Sequence, residues 1–286
     1  MSRAVRDNRP GVAGGAAAEA GAAEKQALLF AALGELESVL VAYSGGADSA
    51  YLAWAAQRAL GERALAVTAL SGSFSAYDRE RALAFAREAG LRHVFIETRE
   101  FANPLYVANN ADRCYHCKAE LFTEMDGLAA ERGFAALAYG VNVDDTRDVR
   151  PGHRAAREHR VLAPLLDAGM SKAEVRELSR RAGLSTWDRP SSPCLSSRIP
   201  YGTAVTREAL ARVEAAEAVL RGLGFRQFRV RSFEETARIE IDPAELPRAR
   251  EMRLEATLVE PLRRVGFARV ELDPRGYRQG ALNELL

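Results

Sequence analysis

The sequence is short of cysteine: Cys114, Cys117 and Cys194 are the only three in 286 residues. An odd, sparse count excludes a disulfide scaffold and fits a reducing compartment, so a cytoplasmic location is expected. Apolar runs of membrane-spanning length are missing, so a soluble protein with no membrane partner is expected. Charge of one sign is missing too. The formal net charge is +1, which leaves no large basic field for gripping nucleic acid, although local patches remain open. Residues 1–23 are rich in Ala, Gly and Arg but lack the continuous apolar core of a secretory signal, and read as a solvated, disordered tail.

What is present is organised around Val39-Leu-Val-Ala-Tyr-Ser44-Gly45-Gly46-Ala-Asp48-Ser49. A short strand ends in Ser-Gly-Gly-x-Asp-Ser, and a helical pattern follows from Ala50 to about Leu60. Strand, glycine turn and helix make an anion site, because adjacent glycines let several backbone N–H groups face one set of oxygens. Ser44 and Ser49 add hydroxyls, and the helix N-terminus adds a partial positive charge. Asp48 would repel a phosphate, so it is expected to hold Mg²⁺ or to orient the loop. No lysine follows the glycines, which excludes the Gly-Lys-[Ser/Thr] phosphate loop. The run resembles instead the PP-loop of the ATP pyrophosphatases, which bind ATP, release pyrophosphate and leave an adenylated intermediate. That resemblance implies ATP and Mg²⁺, with Ser44, Gly45, Gly46, Asp48 and Ser49 as the nucleotide-binding residues.

The length allows two cores. Helical periodicity starts at Glu24. Beyond the glycine turn, strands are expected at Ala64–Leu70, His93–Glu97, Phe134–Tyr139 and, briefly, Glu158–Ala163. Helices are expected at Tyr77–Ala89, at about Lys118–Arg132, and from the capping box Ser171-Lys-Ala-Glu174 to about Ala182, this box being read as structural. Alternation of strand and helix implies an α/β domain with a parallel sheet, its ligands beyond the carboxyl ends of the strands, where Ser44, Ser71 and Gly140 lie. The polar run Gly140–Gly152 is either a solvated loop or a ligand edge bringing Asn142 or Asp145 to the nucleotide or substrate. Cys114-Tyr-His116-Cys117 has the spacing of a metal or redox pair, but a closed zinc site needs two further ligands and His93, His153 and His159 show no ligand spacing. A structural or substrate-lining role is expected for the pair.

Cys194 lies in Asp188-Arg189-Pro190-Ser-Ser-Pro193-Cys194-Leu-Ser196-Ser197-Arg198-Ile-Pro200-Tyr201-Gly202. Its prolines exclude regular helix and constrain the loop. Isolated cysteines are mostly small buried hydrophobes. This one has Ser, Pro and Arg for neighbours, and Arg198 is a candidate to favour its thiolate, the nucleophilic form.

With the PP-loop, Arg113-Cys-Tyr-His-Cys-Lys118 and above all Pro193-Cys-Leu-Ser-Ser-Arg-Ile-Pro-Tyr-Gly202 in place, the chain from about Lys25 to its end resembles the LarE family of ATP-dependent sacrificial sulfur transferases. The resemblance implies adenylation of a carboxylate of pyridinium-3,5-biscarboxylic acid mononucleotide. Sulfur transfer from Cys194 then leaves dehydroalanine, in biosynthesis of the nickel-pincer nucleotide of lactate racemase. Some members carry an iron–sulfur cluster on three nearby cysteines, and the absence of cysteine after Cys194 argues against that version here. The chemistry is coherent by itself. A carboxylate is a poor electrophile because oxide would have to leave, and ATP turns that oxygen into AMP. A thiolate then forms a thioester, and cleavage of Cβ–S requires a base for the Cα proton, which the sequence does not identify.

From Thr206 the pattern changes to helix (Glu208–Leu223), strands (Gln227–Arg231 and Ala237–Ile241), helix (Pro243–Val265) and strand (Ala268–Leu272), a smaller α+β domain. The expected division is tail 1–23, PP-loop domain with the cysteine loop 24–202, and substrate-binding or oligomerisation domain 203–286. Alternation puts Arg229 and Arg231 on one sheet face, either a solvated edge or an anion clamp. By resemblance they contact the substrate phosphate, with Arg198, Glu240 and Arg278 as further substrate-side candidates. A homo-oligomer and contacts with other nickel-pincer biosynthesis proteins are implied in the same way. Competing readings are a tRNA thiolase pairing Cys194 with Cys114 or Cys117, an ammonia-using ligase of the GMP or NAD synthetase kind, and a nucleotide-sensing module that releases no pyrophosphate.

Overall fold

The computed structural model describes residues 12–147 and 151–278; residues 1–11 of the expected tail, Asp148 and Arg150 of the polar loop, and Gly280 lie outside it. The first helix, α1 (Val12–Gly34), begins well before Glu24. Its opening half is alanine-rich, and alanine loses least on entering a helix. Leu29 and Leu33 are buried in the core, and so is Ala22, so the end of the expected tail is helical and packed there.

The central layer is a four-stranded, all-parallel sheet. Its strands are β1 (Val39–Ala42), β2 (Ala64–Leu70), β3 (His93–Glu97) and β4 (Ala136–Tyr139), in the order β3-β2-β1-β4. Every residue of β1 is buried, as a strand covered on both faces requires. Val39 and Val41 face one core with α1, α2 (Ala47–Leu60) and α3 (Ala76–Glu88), while Leu40 and Ala42 face the opposite core with Phe122 and Met125. The chain winds outward from β1 to β3 and then returns to the other side of β1. The switch point therefore falls between β1 and β4, at their carboxyl ends, where ligands of such sheets sit.

Two expectations shift along this domain. After the short α4 (Pro104–Val107), α5 runs Arg113–Arg132 and so starts before Lys118, which puts Cys114 and Cys117 in its first turns. Arg113 is buried and donates to Asn109 Oδ1 and, at 2.9 Å, to the Ser196 carbonyl, the latter a long-range contact that propensity does not register. The strand expected at Glu158–Ala163 reduces to one bridge, Ala138 to Leu162. The chain there is helix α6 (Pro151–Glu158) and a left-handed turn at Arg160, followed by α7 (Pro164–Asp167). The capping box at Ser171 and Glu174 is formed and opens α8 (Lys172–Arg181).

The second, smaller sheet has β5 (Phe228–Phe233) antiparallel to β6 (Thr236–Ile241), and β6 parallel to β7 (Arg269–Leu272). It packs on α9 (Arg207–Gly222), and its helical connection is two pieces, α10 (Leu246–Glu251) and α11 (Leu254–Arg264), because Arg253 adopts a left-handed conformation (φ 46°). Tyr106, Leu195, Ile199 and Val205 pack into this second core, so the cysteine loop joins the two parts. Among the described residues no helix is long and apolar enough to cross a membrane.

Just after β4, Gly140 packs against the helix that follows the glycine turn. A Cβ there would lie 2.8 Å from both Cα and N of Ser49, on the glycine-turn helix. Backbone cannot yield as a side chain does. Gly140→Ala is expected to cost at least about 1–3 kcal/mol, measured by thermal unfolding.

Candidate functional site

The glycine turn is closed by its own serines. Ser49 Oγ accepts from the Ser44 amide at 3.2 Å, lies 3.0 Å from Ser44 Oγ, and donates to the Gly46 carbonyl at 3.2 Å. Gly45 has φ +77°, and a Cβ on it would meet Ala82 Cβ at 3.0 Å, which is why this position is glycine. Gly46 is the N-cap of α2 and brings no side chain to cap it, which leaves the first-turn N–H groups to face a ligand.

Beside this turn stand Asp48, Asn142, Asp145 and Lys172. Asn142 is fully buried, its Oδ1 accepts from the Asp144 amide at 2.9 Å, and its own amide donates to Asp145 Oδ2 at 3.2 Å. Burial raises the Asp48 carboxyl above the usual range. Lys172 opposes that rise, Asp145 adds to it, and the facing Asn142 amide opposes it again. Asp48 Oδ1 and Asn142 Nδ2 are buried and close no full hydrogen bond. A hard cation suits this oxygen-rich corner. Mg²⁺ takes one or two carboxylates and draws its other ligands from phosphate and water, so Asp48, with Asp145 behind it, would hold it. Among the described residues no group of three or more His, Cys, Asp or Glu is set to hold a metal unaided.

The cysteine loop is held by its carbonyls. An irregular, proline-rich segment has no ladder to satisfy them, and five arginines supply donors instead. Arg176 donates to the carbonyls of Trp187 (2.9 Å) and Arg189 (2.6 Å), Arg229 to that of Ser191, Arg198 to those of Pro193 and Cys194 (3.0 Å), Arg113 to that of Ser196, and Arg231 to that of Ser197 (2.7 Å). Further pins reach the first sheet. The Leu195 amide donates to Ser73 at 2.9 Å, just beyond β2, and Arg189 donates to the Gly45 carbonyl in the glycine turn. Cys194 stays exposed within this frame.

The predicted site residues fall into place unevenly. Arg198 is buried and ion-paired with Glu217 at 2.8 Å, so its charge is matched and its free donors grip the main chain around Cys194. Arg229 and Arg231 do share a face, but that face is buried under the cysteine loop and is no solvated edge. Arg231 is ion-paired with Glu240 at 2.7 Å. Arg229 has no carboxylate partner; it lies over the Tyr277 ring, and burial with the adjacent Arg198 charge pushes it down to about 10. Arg278 follows Tyr277 in the chain and stands 3.9 Å from Asp273 Oδ1.

Cys114 and Cys194 both lie near enough to Cys117 to act on it electrostatically. Burial, then Cys194, and less so Glu100 and Cys114, push the Cys117 thiol up to about 12 against the opposing Lys118. Arg113 touches Cys114 Sγ at 4.0 Å. Burial would push its guanidinium down, and the adjacent Cys194 and Cys114 sulfurs hold it up, so a thiolate at either is met by this cation. The sequence offered Arg198 for that task; Arg113, adjacent to the Cys-x-x-Cys run, was its overlooked counterpart.

Behind the loop opens a cleft of about 360 Å³ between α3 and α9, lined by Arg81, Arg189, Arg198, Arg221, Arg226 and Arg229 against only Asp78 and Glu217. Arg81, Arg189, Arg221 and Arg229 have no carboxylate of their own among the described residues, and the Nε atoms of Arg189 and Arg229 are buried without a partner. Burial and then the like charge of Arg81 push Arg189 down. This is a site built for an anion.

No protein-family model matches the chain. It is 45% identical over 253 residues to an uncharacterized protein of Synechocystis sp., covering 88% of this chain and 94% of that one. It is 36% identical over 266 residues to the pyridinium-3,5-bisthiocarboxylic acid mononucleotide synthase of Lactiplantibacillus plantarum, covering 92% and 95%. It is 25% identical over 206 residues to an uncharacterized protein of Methanocaldococcus jannaschii, covering 72% and 78%.

The Arg198–Glu217 pair generates a stability prediction. Burial raises the Glu217 carboxyl, but Arg198, its hydrogen bonds, Arg229 and the Val230 amide outweigh burial and hold it below the usual range. Its contribution is therefore full above the unfolded value of about 4.3 and is lost as pH falls through the lower folded value. Glu217→Gln leaves Arg198 buried and unmatched, and is expected to cost about 3–5 kcal/mol at pH 7, a gap that narrows below about pH 4. Urea unfolding across that range measures it.

Proposed function

The chain belongs to the LarE family, and from that premise we propose that it is an ATP-dependent sulfur transferase that thiolates a carboxylate of pyridinium-3,5-biscarboxylic acid mononucleotide with the sulfur of Cys194. The observation that carries the reading is the frame that ties an exposed Cys194 to the glycine turn through Arg189 and Gly45 and to the end of β2 through Leu195 and Ser73.

ATP lies with its phosphates on the free N–H groups of the α2 first turn and the hydroxyls of Ser44 and Ser49. Asp48 would hold Mg²⁺, which would supply charge neutralisation there. The acceptor's phosphate enters the arginine cleft, where it gives Arg81, Arg189, Arg221 and Arg229 the counter-charge they lack. That grip leaves the acceptor's carboxylate to reach the α-phosphorus. A carboxylate oxygen attacks there, pyrophosphate departs, and the acid carries AMP as its leaving group. The Cys194 thiolate, faced by Arg113, attacks the activated carbonyl and AMP leaves. Loss of the Cα proton then breaks Cβ–S. The thiocarboxylate takes the sulfur, and residue 194 becomes dehydroalanine.

The nearness of Cys114 and Cys194 to Cys117 favours one second reading: a regenerating thiolase in which Cys114 or Cys117 closes a disulfide with Cys194. Intact mass and peptide mapping after turnover with ATP and the biscarboxylate mononucleotide separate the two. Loss of the elements of H₂S at Cys194 is expected. A chain that turns over and keeps its sulfur, free or as a disulfide, rejects the sacrificial cycle.

A further inference from the structure

The turn between α4 and α5 carries Asn109 in a left-handed conformation (φ 56°), which asparagine tolerates better than most residues and which suits an exposed turn. Yet its side chain is fully buried, and both of its polar atoms are used. Nδ2 donates to the carbonyls of Pro200 (2.7 Å), Thr203 (2.8 Å) and Ile199 (3.3 Å), and the Asn109 carbonyl accepts from the Gly202 amide at 3.1 Å. These bonds pin the end of the cysteine loop, and a donor alone would suffice for that. Oδ1 has a different task. It accepts from Arg113 Nη1, which also donates to the Ser196 carbonyl at 2.9 Å. One guanidinium nitrogen is thereby tied twice, and the other, Nη2, is turned to the sulfur of Cys114 at 4.0 Å.

Four titratable groups feel the Cys194 sulfur: Arg113 and Cys117 from α5, Tyr106 from α4, and Arg198 from the loop itself. Burial keeps the Tyr106 phenol and the Cys117 thiol protonated, and Glu217 matches Arg198. Asp78 of α3 reaches the loop at Ser192 (3.3 Å), and Arg189 and Arg229 turn to the carbonyls of Gly45 and Ser191. Arg113 alone among the four brings a charge that no carboxylate answers; its other neighbour is the Tyr201 ring, 5.7 Å away. A neutral amide oxygen orients this cation without cancelling it, where a carboxylate would do both. We propose that Asn109 is a positioning residue for the sulfur-transfer step, holding the unmatched guanidinium of Arg113 toward Cys194. This role rests on the sulfur-transfer reading and adds a residue which that reading does not name. In the step, the Cys194 sulfur gives the electron pair of the new C–S bond, and the C–O bond to AMP breaks with its pair staying on AMP. The thiol proton passes to solvent, to which Cys194 is exposed, and Arg113 faces the sulfur anion that remains.

The test is alkylation of Cys194 by iodoacetamide over a pH series, resolved from the other cysteines by peptide mapping, with no ATP or acceptor present. Asn109→Gly keeps the left-handed backbone and removes the Oδ1 acceptor. It is expected to raise the midpoint of alkylation by about one pH unit, the lower end of what an adjacent opposite charge supplies. Arg113→Lys keeps the charge and the Asn109 donors to the loop, but a single ammonium cannot span Oδ1 and the Ser196 carbonyl while facing the sulfur. It is expected to raise the midpoint too. The double variant should move no further than the larger single one, because both act through one guanidinium. In a single turnover, sulfur transfer by Asn109→Gly is expected to fall about tenfold below the midpoint and to regain the parent's rate at high pH, a recovery that a merely loosened loop would not show. An unchanged midpoint in Asn109→Gly or, should that chain not fold, in Arg113→Lys overturns the assignment, as do shifts that add. A parent protein that transfers no sulfur overturns the functional reading and this role with it, a failure that the substrate-free alkylation profile tells apart from the first.

Discussion

The structure depends on guanidinium groups donating to main-chain carbonyls. The loop that carries Cys194 has prolines at 190, 193 and 200 and no strand or helix to absorb its polar backbone. Left in water it would be mobile; buried without donors it would be unstable. Arg113, Arg176, Arg229 and Arg231 from α5, α8 and β5, with Arg198 of the loop itself, solve this by presenting planar forks of donors to its carbonyls. The result is an irregular segment held from both domains, with its thiol left on the outside.

That arrangement concentrates positive charge where few carboxylates answer it. Glu217 matches Arg198 and Glu240 matches Arg231. Arg189 and Arg229 donate to carbonyls without a paired carboxylate, and burial first, then a like-charged neighbour, pushes both down. A protein selected for stability alone would not keep such a cluster. An anionic ligand that binds it supplies the missing charge and stabilises the folded chain in proportion to its affinity. The same logic operates at the glycine turn, where Asp48, Asn142 and Lys172 face one another without closing.

Much of this was legible in the sequence where the signal is local. Apolar β1, two glycines and flanking serines suffice to place the nucleotide turn, and period-two and helical patterns recover both sheets. The parts that stayed hidden are long-range. Alternation puts Arg229 and Arg231 on one face of β5, but it carries no information about what covers that face. The start of α5 is set by Arg113 reaching a loop more than eighty residues away, so Cys114 and Cys117 read as loop when they are helical. The break between α10 and α11 falls at Arg253, a residue type that gives no warning of a left-handed backbone. Lys172 was concealed by its surroundings: a capping box is a sufficient reason for its neighbours, and nothing local says that the residue inside it looks toward Asp48.

The account turns on the origin of one sulfur atom. Protein made with heavy-sulfur cysteine, turned over once with ATP and the biscarboxylate mononucleotide, tests it directly. The account predicts that the thiocarboxylate carries the heavy isotope, in an amount that does not exceed the amount of protein. A thiocarboxylate with ordinary sulfur, formed beside a chain that still holds its label at residue 194, contradicts it.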